Sequence, residues 1–189
     1  KFEININDTV VDIGAHIGSF TINAAKKAKK GKIIALEPSK KTYKILQKNI
    51  EISNFQNIIS ENIGVWGETD KISLYIDENE SISNNIFKKT DKIEKINVIS
   101  LLDYMEKHHI EKIDFLKMDC EGAEFEIILG MSNKTLEKIK KMSIEVHNVI
   151  KNKLIEDLKI KLEQNNFLVT IKSTFVEEEL YMLYAENIN

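Results

Sequence analysis

Two sets of residues in this 189-residue chain have the types and spacing that chemistry needs. The first is Asp12, Gly14, Gly18 and Glu37. Val10 and Val11 lead into Asp12, the two glycines bracket a turn, and an apolar-rich run follows from Ile17 to Ala28. This reads as strand, tight turn, helix. Glycine lets the backbone take unusual dihedrals and lie close to a ligand, and the helix start presents free N–H groups. The second set is Asp119, Glu121, Glu124, Glu145 and His147. Asp119 ends an apolar run that begins at Ile113, while Glu145 and His147 are period-two neighbours on another, so they share a face. His147 has an ordinary pKa near working pH and suits a general base. Asp119 is the alternative, and spacing does not choose between them. Glu121 and Glu124 suit the site and equally a helix start, where carboxylates are favoured.

The glycine turn departs from the dinucleotide-binding pattern. That pattern needs a second glycine so that the backbone can approach a pyrophosphate, and here His16 and Ser19 stand at the second and third glycine positions. Asp12, two places before Gly14, would repel phosphate. It suits instead a cofactor with positive charge and a ribose but no phosphate, such as S-adenosylmethionine. Glu37 follows a second apolar strand, Lys32 to Leu36, and can accept both ribose hydroxyls. Asn62 closes a third apolar segment, Asn57 to Val65, where it can face the adenine edge. Asp119 falls across the topological switch point from Gly14.

Alternating strand and helix patterns position these residues. Pro38 stops the second strand and Ser39 caps a helix from Lys40 to Ile52. Gly64 to Gly67 is a turn with Trp66 as a packing residue, and Lys71 to Ile76 is the return strand of a hairpin. Asp77 to Lys95 is a long polar loop, read either as a solvated insertion or as an acceptor-binding segment with Ser81, Ser83 and Asn84 as contacts. Ile96 to Ile99 is a strand, Ser100 caps the next helix, and His108 and His109 close it in a structural role. Ile113 to Asp119 is the fourth strand of a parallel sheet, with Cys120 to Glu124 opening a helix that ends near Gly130. Met142 to Val146 is the fifth strand. A helix from Ile150 to Gln164 and a hairpin of Phe167 to Lys172 with Leu180 to Ala185 complete the chain. Cys120 at a helix start would have a lowered pKa, but a Cys120–His147 nucleophile pair has no other acyl-transfer feature beside it.

Composition is that of a globular protein, with 42% apolar and 30% charged residues and a net charge of −3. The chain has no arginine, so the usual bidentate reader of guanine and phosphate is missing. No apolar run reaches membrane-spanning length. The expectation is one cytoplasmic domain over 1–189 with no nucleic-acid partner and no membrane span. Because Lys1 falls almost inside the first strand, an N-terminal segment is expected to precede it.

These motifs resemble the class I S-adenosylmethionine-dependent methyltransferases and, within them, the FkbM family. Val-Asp-Ile-Gly-Ala-His-Ile-Gly-Ser-Phe, ending at Phe20, is similar to the first motif, and Ala35-Leu-Glu-Pro38 to the ribose-binding second. Ile113-Asp-Phe-Leu-Lys-Met-Asp-Cys-Glu-Gly-Ala-Glu124 is the strongest match, flanked by Ser100-Leu-Leu-Asp-Tyr and Ile144-Glu-Val-His147. Cys120 stands where a branched apolar residue is usual. The resemblance implies a Rossmann-like α/β fold, a seven-stranded sheet in the order 3-2-1-4-5-7-6 with the last strand antiparallel and helices on both faces. It implies S-adenosylmethionine held by Asp12, Gly14, Gly18 and Glu37, with Asp119 between cofactor and acceptor; Ala15, His16, Phe20, Pro38 and Asn62 are further candidate cofactor contacts. Methyl transfer to an oxygen of a sugar or small natural product would follow, with Glu121 and Glu145 near the acceptor. Asp119, Glu145 and His147 are also plausible divalent-metal ligands, although a metal-free site is the expectation.

Rival functions are weaker. Amino methylation of nucleic acid typically uses an Asn/Asp-Pro-Pro-Tyr box, and Pro38 is the only proline. An NAD-linked oxidoreductase is disfavoured by His16. A catalytically silent cofactor-binding module, acting as partner or scaffold, is the alternative that sequence leaves open.

Overall fold

The structure is a computed structural model and describes residues 2–76, 92–147, 154–174 and 180–189. β1 (Thr9–Ile13) leads through the glycine turn into α1 (Ser19–Lys27), then β2 (Lys32–Leu36), α2 (Lys40–Ser53) and β3 (Ile58–Glu61). β4 (Gly64–Trp66), β5 (Asp70–Ile76) and β6 (Lys92–Ser100) follow, then α3 (Leu101–Lys107) and β7 (Phe115–Asp119). α4 (Glu124–Gly130), α5 (Asn133–Glu137), β8 (Lys141–His147), α6 (Ile155–Glu163), β9 (Phe167–Ser173) and β10 (Leu180–Asn187) complete the order. The main sheet has seven strands, β3-β2-β1-β7-β8-β10-β9, with β10 antiparallel to both of its neighbours. Numbered within that sheet alone, this is the expected 3-2-1-4-5-7-6.

Strand periodicity divides the core into two layers. Val11, Ile13, Ile34, Leu36, Leu116, Met118, Ile144 and Val146 face one side, packed with Tyr104 of α3, Phe125 and Ile127 of α4, and Leu158 and Leu162 of α6. Val10, Ile33 and Phe115 face the other, against Ala24 and Ala25 of α1, and Ala35 meets Leu46 of α2. Successive strand side chains point to opposite faces. Asp12, Lys117 and Asp119 therefore fall on the α1 side, with Glu145 and His147 beside them, because Asp12 pairs with Lys117 and Asp119 with Glu145. Ser39 and Ser100 cap their helices as expected, accepting from Thr42 N and Asp103 N.

The second sheet differs from the expected hairpin. β4 and β5 do not pair with each other; both flank β6, in the order β4-β6-β5. β6 begins at Lys92 rather than Ile96, because β5 continues its antiparallel register from Asp70↔Val98 to Ile76↔Lys92. Residues 92–95 of the expected loop therefore belong to a strand. Ser81, Ser83 and Asn84 lie outside the described residues. α4 starts at Glu124, so Cys120 sits in the preceding turn and not at a helix N-terminus. Burial, with the Glu124 carboxylate next, pushes its thiol well above the ordinary value, opposite to the lowering expected at a helix start. α5 was not expected; Ser132 caps its five residues by accepting from Thr135 N.

Candidate functional site

The carboxyl ends of β1, β2, β3, β7 and β8 meet along one edge of the sheet. Gly14 and Gly18 take φ values of 74° and 94°, which side chains rarely adopt. A Cβ on Gly14 would lie 1.9 Å from the Asp119 carbonyl oxygen, so the loop from β1 is pressed against the end of β7. The N–H groups of Gly14 and Ala15 both donate to Leu36 O at 3.0 Å, fastening the loop to β2 as well. His16 is exposed in a left-handed conformation, φ 52°. Its N–H donates to Glu37 Oε2 at 2.9 Å, while Ser39 N donates to Oε1 at 2.9 Å. Burial lifts the Glu37 carboxyl to about 7 against the pull of those two donors. Asn62 Nδ2 donates to the carbonyls of Glu37 and Pro38, at 2.9 and 2.8 Å, and so fixes the segment that carries Glu37.

Asp12 lies beneath the loop with no accessible surface. Thr21 Oγ1 donates to its Oδ2 at 2.6 Å, and Lys117 Nζ is 3.3 Å from Oδ1, an ion pair without good hydrogen-bond alignment. Burial raises the Asp12 pKa, and Lys117 opposes that rise. Lys117 also donates to Gly14 O at 3.2 Å and lies 3.5 Å from Asp119 Oδ2. Ala15 is buried, Pro38 is half-buried, and Phe20 stacks on Phe115 with ring centroids 6.2 Å apart.

Beyond Asp119 the site becomes acidic. One ligand-type atom from each of Asp119, Glu145 and His147 lies within 4.8 Å of the others. The fully buried Glu124 holds His147 from behind: its Oε1 is 3.3 Å from Nδ1 and accepts from Cys120 N at 2.7 Å, while Oε2 accepts from Gly122 N at 2.9 Å. His147 Nε2 is 3.7 Å from Glu121 Oε2. Burial pulls the His147 pKa down, but Glu124, Glu121 and Asp119 outweigh it and raise it to about 9. Glu121 and Glu145 are raised, first by burial and then, after a lowering from His147 or a raising from Asp119, by neighbouring carboxylates.

The structure thus brings Asp12, Gly14, Gly18, Glu37 and Asn62 to one loop system and Asp119, Glu121, Glu145 and His147 together at the adjoining carboxyl ends of β7 and β8. Sequence reasoning missed Lys117 and Thr21, and left Glu124 undecided between cap and site. A lysine inside the apolar run Phe115-Leu-Lys-Met was a visible signal.

A parallel sheet with this reversal and a glycine loop at its carboxyl edge defines a Rossmann-like methyltransferase fold. The model of the methyltransferase FkbM domain matches residues 12–174, and the chain belongs to that family. It is 24% identical over 160 residues to Methyltransferase 1 of Beauveria bassiana, covering 72% of this chain and 64% of that protein. To the hexuronic acid methyltransferase AglP of Haloferax volcanii it is 26% identical over 167 residues, 85% of this chain and 66% of that one. The chain thus spans about two thirds of the length of these relatives. The crystal structure of a methyltransferase FkbM from Methylobacillus flagellatus superposes with a TM-score of 0.68 at 18% identity, covering 97% of this chain and 44% of that one. TrmK of M. capricolum, solved with S-adenosylhomocysteine, superposes at 0.60 with 17% identity over 98% of this chain and 64% of its own.

Proposed function

We propose that this methyltransferase moves the methyl group of S-adenosylmethionine to a hydroxyl oxygen of a sugar or small natural product. The observation that carries the reading is the convergence of Asp119, Glu145 and His147 next to the glycine loop. Glu37 keeps a free lone pair on each oxygen beyond its two backbone donors, which suits a ribose diol. The Gly14–Gly18 loop and Asn62 shape the rest of the cofactor bed, and Asp12 acts from beneath it. The name of the Haloferax volcanii relative supports a sugar acceptor. A net charge of −3 and the lack of arginine favour a small acceptor over nucleic acid. Among the described residues no helix is long and apolar enough to cross a membrane, and a cytoplasmic enzyme is the reading adopted.

The sulfonium is already activated, so the protein must hold oxygen, methyl carbon and sulfur in line. The C–S bond breaks as the O–C bond forms, sulfur keeps the bonding pair, and the hydroxyl proton goes to a base. With its pKa at about 9, His147 holds its own proton at neutral pH, so the hydroxyl proton goes to a neighbouring carboxylate, and Asp119, at the end of β7 beside the glycine loop, is the one we assign. Asp119, Glu145 and His147 also form a mixed oxygen and nitrogen donor set that fits a divalent cation, provided that binding releases the His147 proton. When bound, such an ion would polarise the acceptor oxygen.

The test is calorimetric titration with S-adenosylmethionine and, separately, NAD. Acceptor assays on hydroxylated sugars, uronic acids included, would follow with magnesium and with a chelator. Tight binding of S-adenosylmethionine alone, and a product heavier by one methylene, is the expected result. Binding without turnover of any acceptor would favour a silent module, and NAD binding would overturn the reading.

A further inference from the structure

Lys117 is a charged group at the centre of the site that the proposed reaction leaves without a task. Its strand neighbours Leu116 and Met118 have no accessible surface, and its own side chain is only 17% exposed. An ammonium group so shielded is costly unless it is paired. Neutralising the buried Asp12 would be reason enough for it to be there. Yet Nζ is shared: it lies 3.3 Å from Asp12 Oδ1, 3.5 Å from Asp119 Oδ2 and 3.2 Å from Gly14 O, with the Phe20 ring centroid 5.9 Å away. Those partners sit on the end of β1, the glycine loop and the end of β7. Without a cation between them, two carboxylates and a carbonyl oxygen would repel one another across the switch point. Two of the three are also groups that the proposed reaction uses directly, the Gly14 loop for the cofactor and Asp119 for the proton.

We propose that Lys117 is a positioning residue of the methyl-transfer site, its ammonium group bracing the Asp119 carboxylate and the Gly14 carbonyl, separately from its pairing with Asp12. What the braced site receives rests on the methyltransferase reading above. Lys117→Met alone strands a buried charge, so the test is made on Asp12→Asn, where the structural pairing is already removed. Replacing both members of a buried pair is often close to neutral for stability, whereas removing one leaves a charge short of its partner, so the melting temperature of Asp12→Asn/Lys117→Met is expected to be no lower than that of Asp12→Asn. Its affinity for S-adenosylmethionine, measured by calorimetry, is expected to be weaker than that of Asp12→Asn by about tenfold, the scale seen when an orienting partner is lost. Adding Asp119→Asn to both should shrink the difference, since residues in one network are coupled, and what is left is the share of the Gly14 carbonyl. Equal affinities with and without Lys117 in the Asp12→Asn protein would overturn the proposal and leave Lys117 a mere counter-ion to Asp12. A loss unchanged by Asp119→Asn would also overturn it. Crystal structures of Asp12→Asn and the double variant give a readout that needs no cofactor: the Asp119 carboxylate and Gly14 should move, and an unmoved pair overturns the proposal. A wild-type protein that binds no S-adenosylmethionine would instead overturn the methyltransferase reading, with the crystal comparison still deciding the bracing.

Discussion

At the scale of single residues, Glu37 connects pH to binding and to stability with opposite signs. Burial raises its carboxyl from 4.5 to about 7 in the folded protein. As pH falls through 7, the folded chain takes up a proton that the unfolded chain binds only near 4.5, so the protein becomes steadily more stable as pH falls from about 8 to about 4.5 and loses that stability as pH rises again. The full effect is of order 3 kcal/mol. Glu37→Gln should flatten that part of the denaturant-midpoint profile. Affinity for S-adenosylmethionine should move the other way, weakening as pH drops below 7, because a protonated carboxyl loses an acceptor for the ribose. A pH-independent affinity in the wild type would show that the ribose is held elsewhere. Glu124 offers a second residue-scale prediction. It is the main source of the raised His147 pKa, so Glu124→Gln should bring the imidazole pKa down from about 9 by more than about one unit on an NMR titration. An unshifted His147 would mean that Glu121 and Asp119 suffice.

At the scale of elements, the decisive contact is the one between the loop after β1 and the end of β7. Gly14→Ala would force a left-handed φ of 74° on a side-chain residue and place its Cβ 1.9 Å from backbone that cannot move alone. The expected cost exceeds about 3 kcal/mol, read as a fall in the denaturation midpoint together with loss of cofactor binding. Much of this arrangement was legible in the sequence. The glycine turn, the apolar runs ending in Glu37 and Asp119, and the alternation that put Glu145 beside His147 are local patterns, and local patterns survive into the fold. The extent of β6 was not legible, because its start depends on the register with β5, a pairing between segments rather than a property of either. The role of Lys117 was hidden for the same reason. Its three partners come from the end of β1, the loop between β1 and α1, and the end of β7, and only the sheet order brings them together.

At the scale of the whole molecule, the small sheet and the main sheet share one core. Val65 and Ile99 are buried in the same cluster as Met118, Phe125 and Ile144, with Trp66 packed against it. Where the two parts touch, Gly67 and Gly130 lie back to back: a Cβ on Gly130 would come within 2.6 Å of the Gly67 Cα, and one on Gly67 within 2.9 Å of the Glu126 carbonyl oxygen. Trp66 is the only tryptophan, so its fluorescence reports on this junction while far-UV circular dichroism reports on the helices. A shared core predicts that the two signals change together in urea, as two-state unfolding requires. Gly130→Ala should push the small sheet away from α4. Helix propensity alone would make that substitution favourable by up to about 1 kcal/mol, so a lower midpoint in the variant isolates the cost of the lost contact. If the fluorescence midpoint fell ahead of the dichroism midpoint, the junction would be a weak seam opening before the main sheet. Midpoints that stay together and fall together would show that the small sheet is an integral wall of the fold that holds the site.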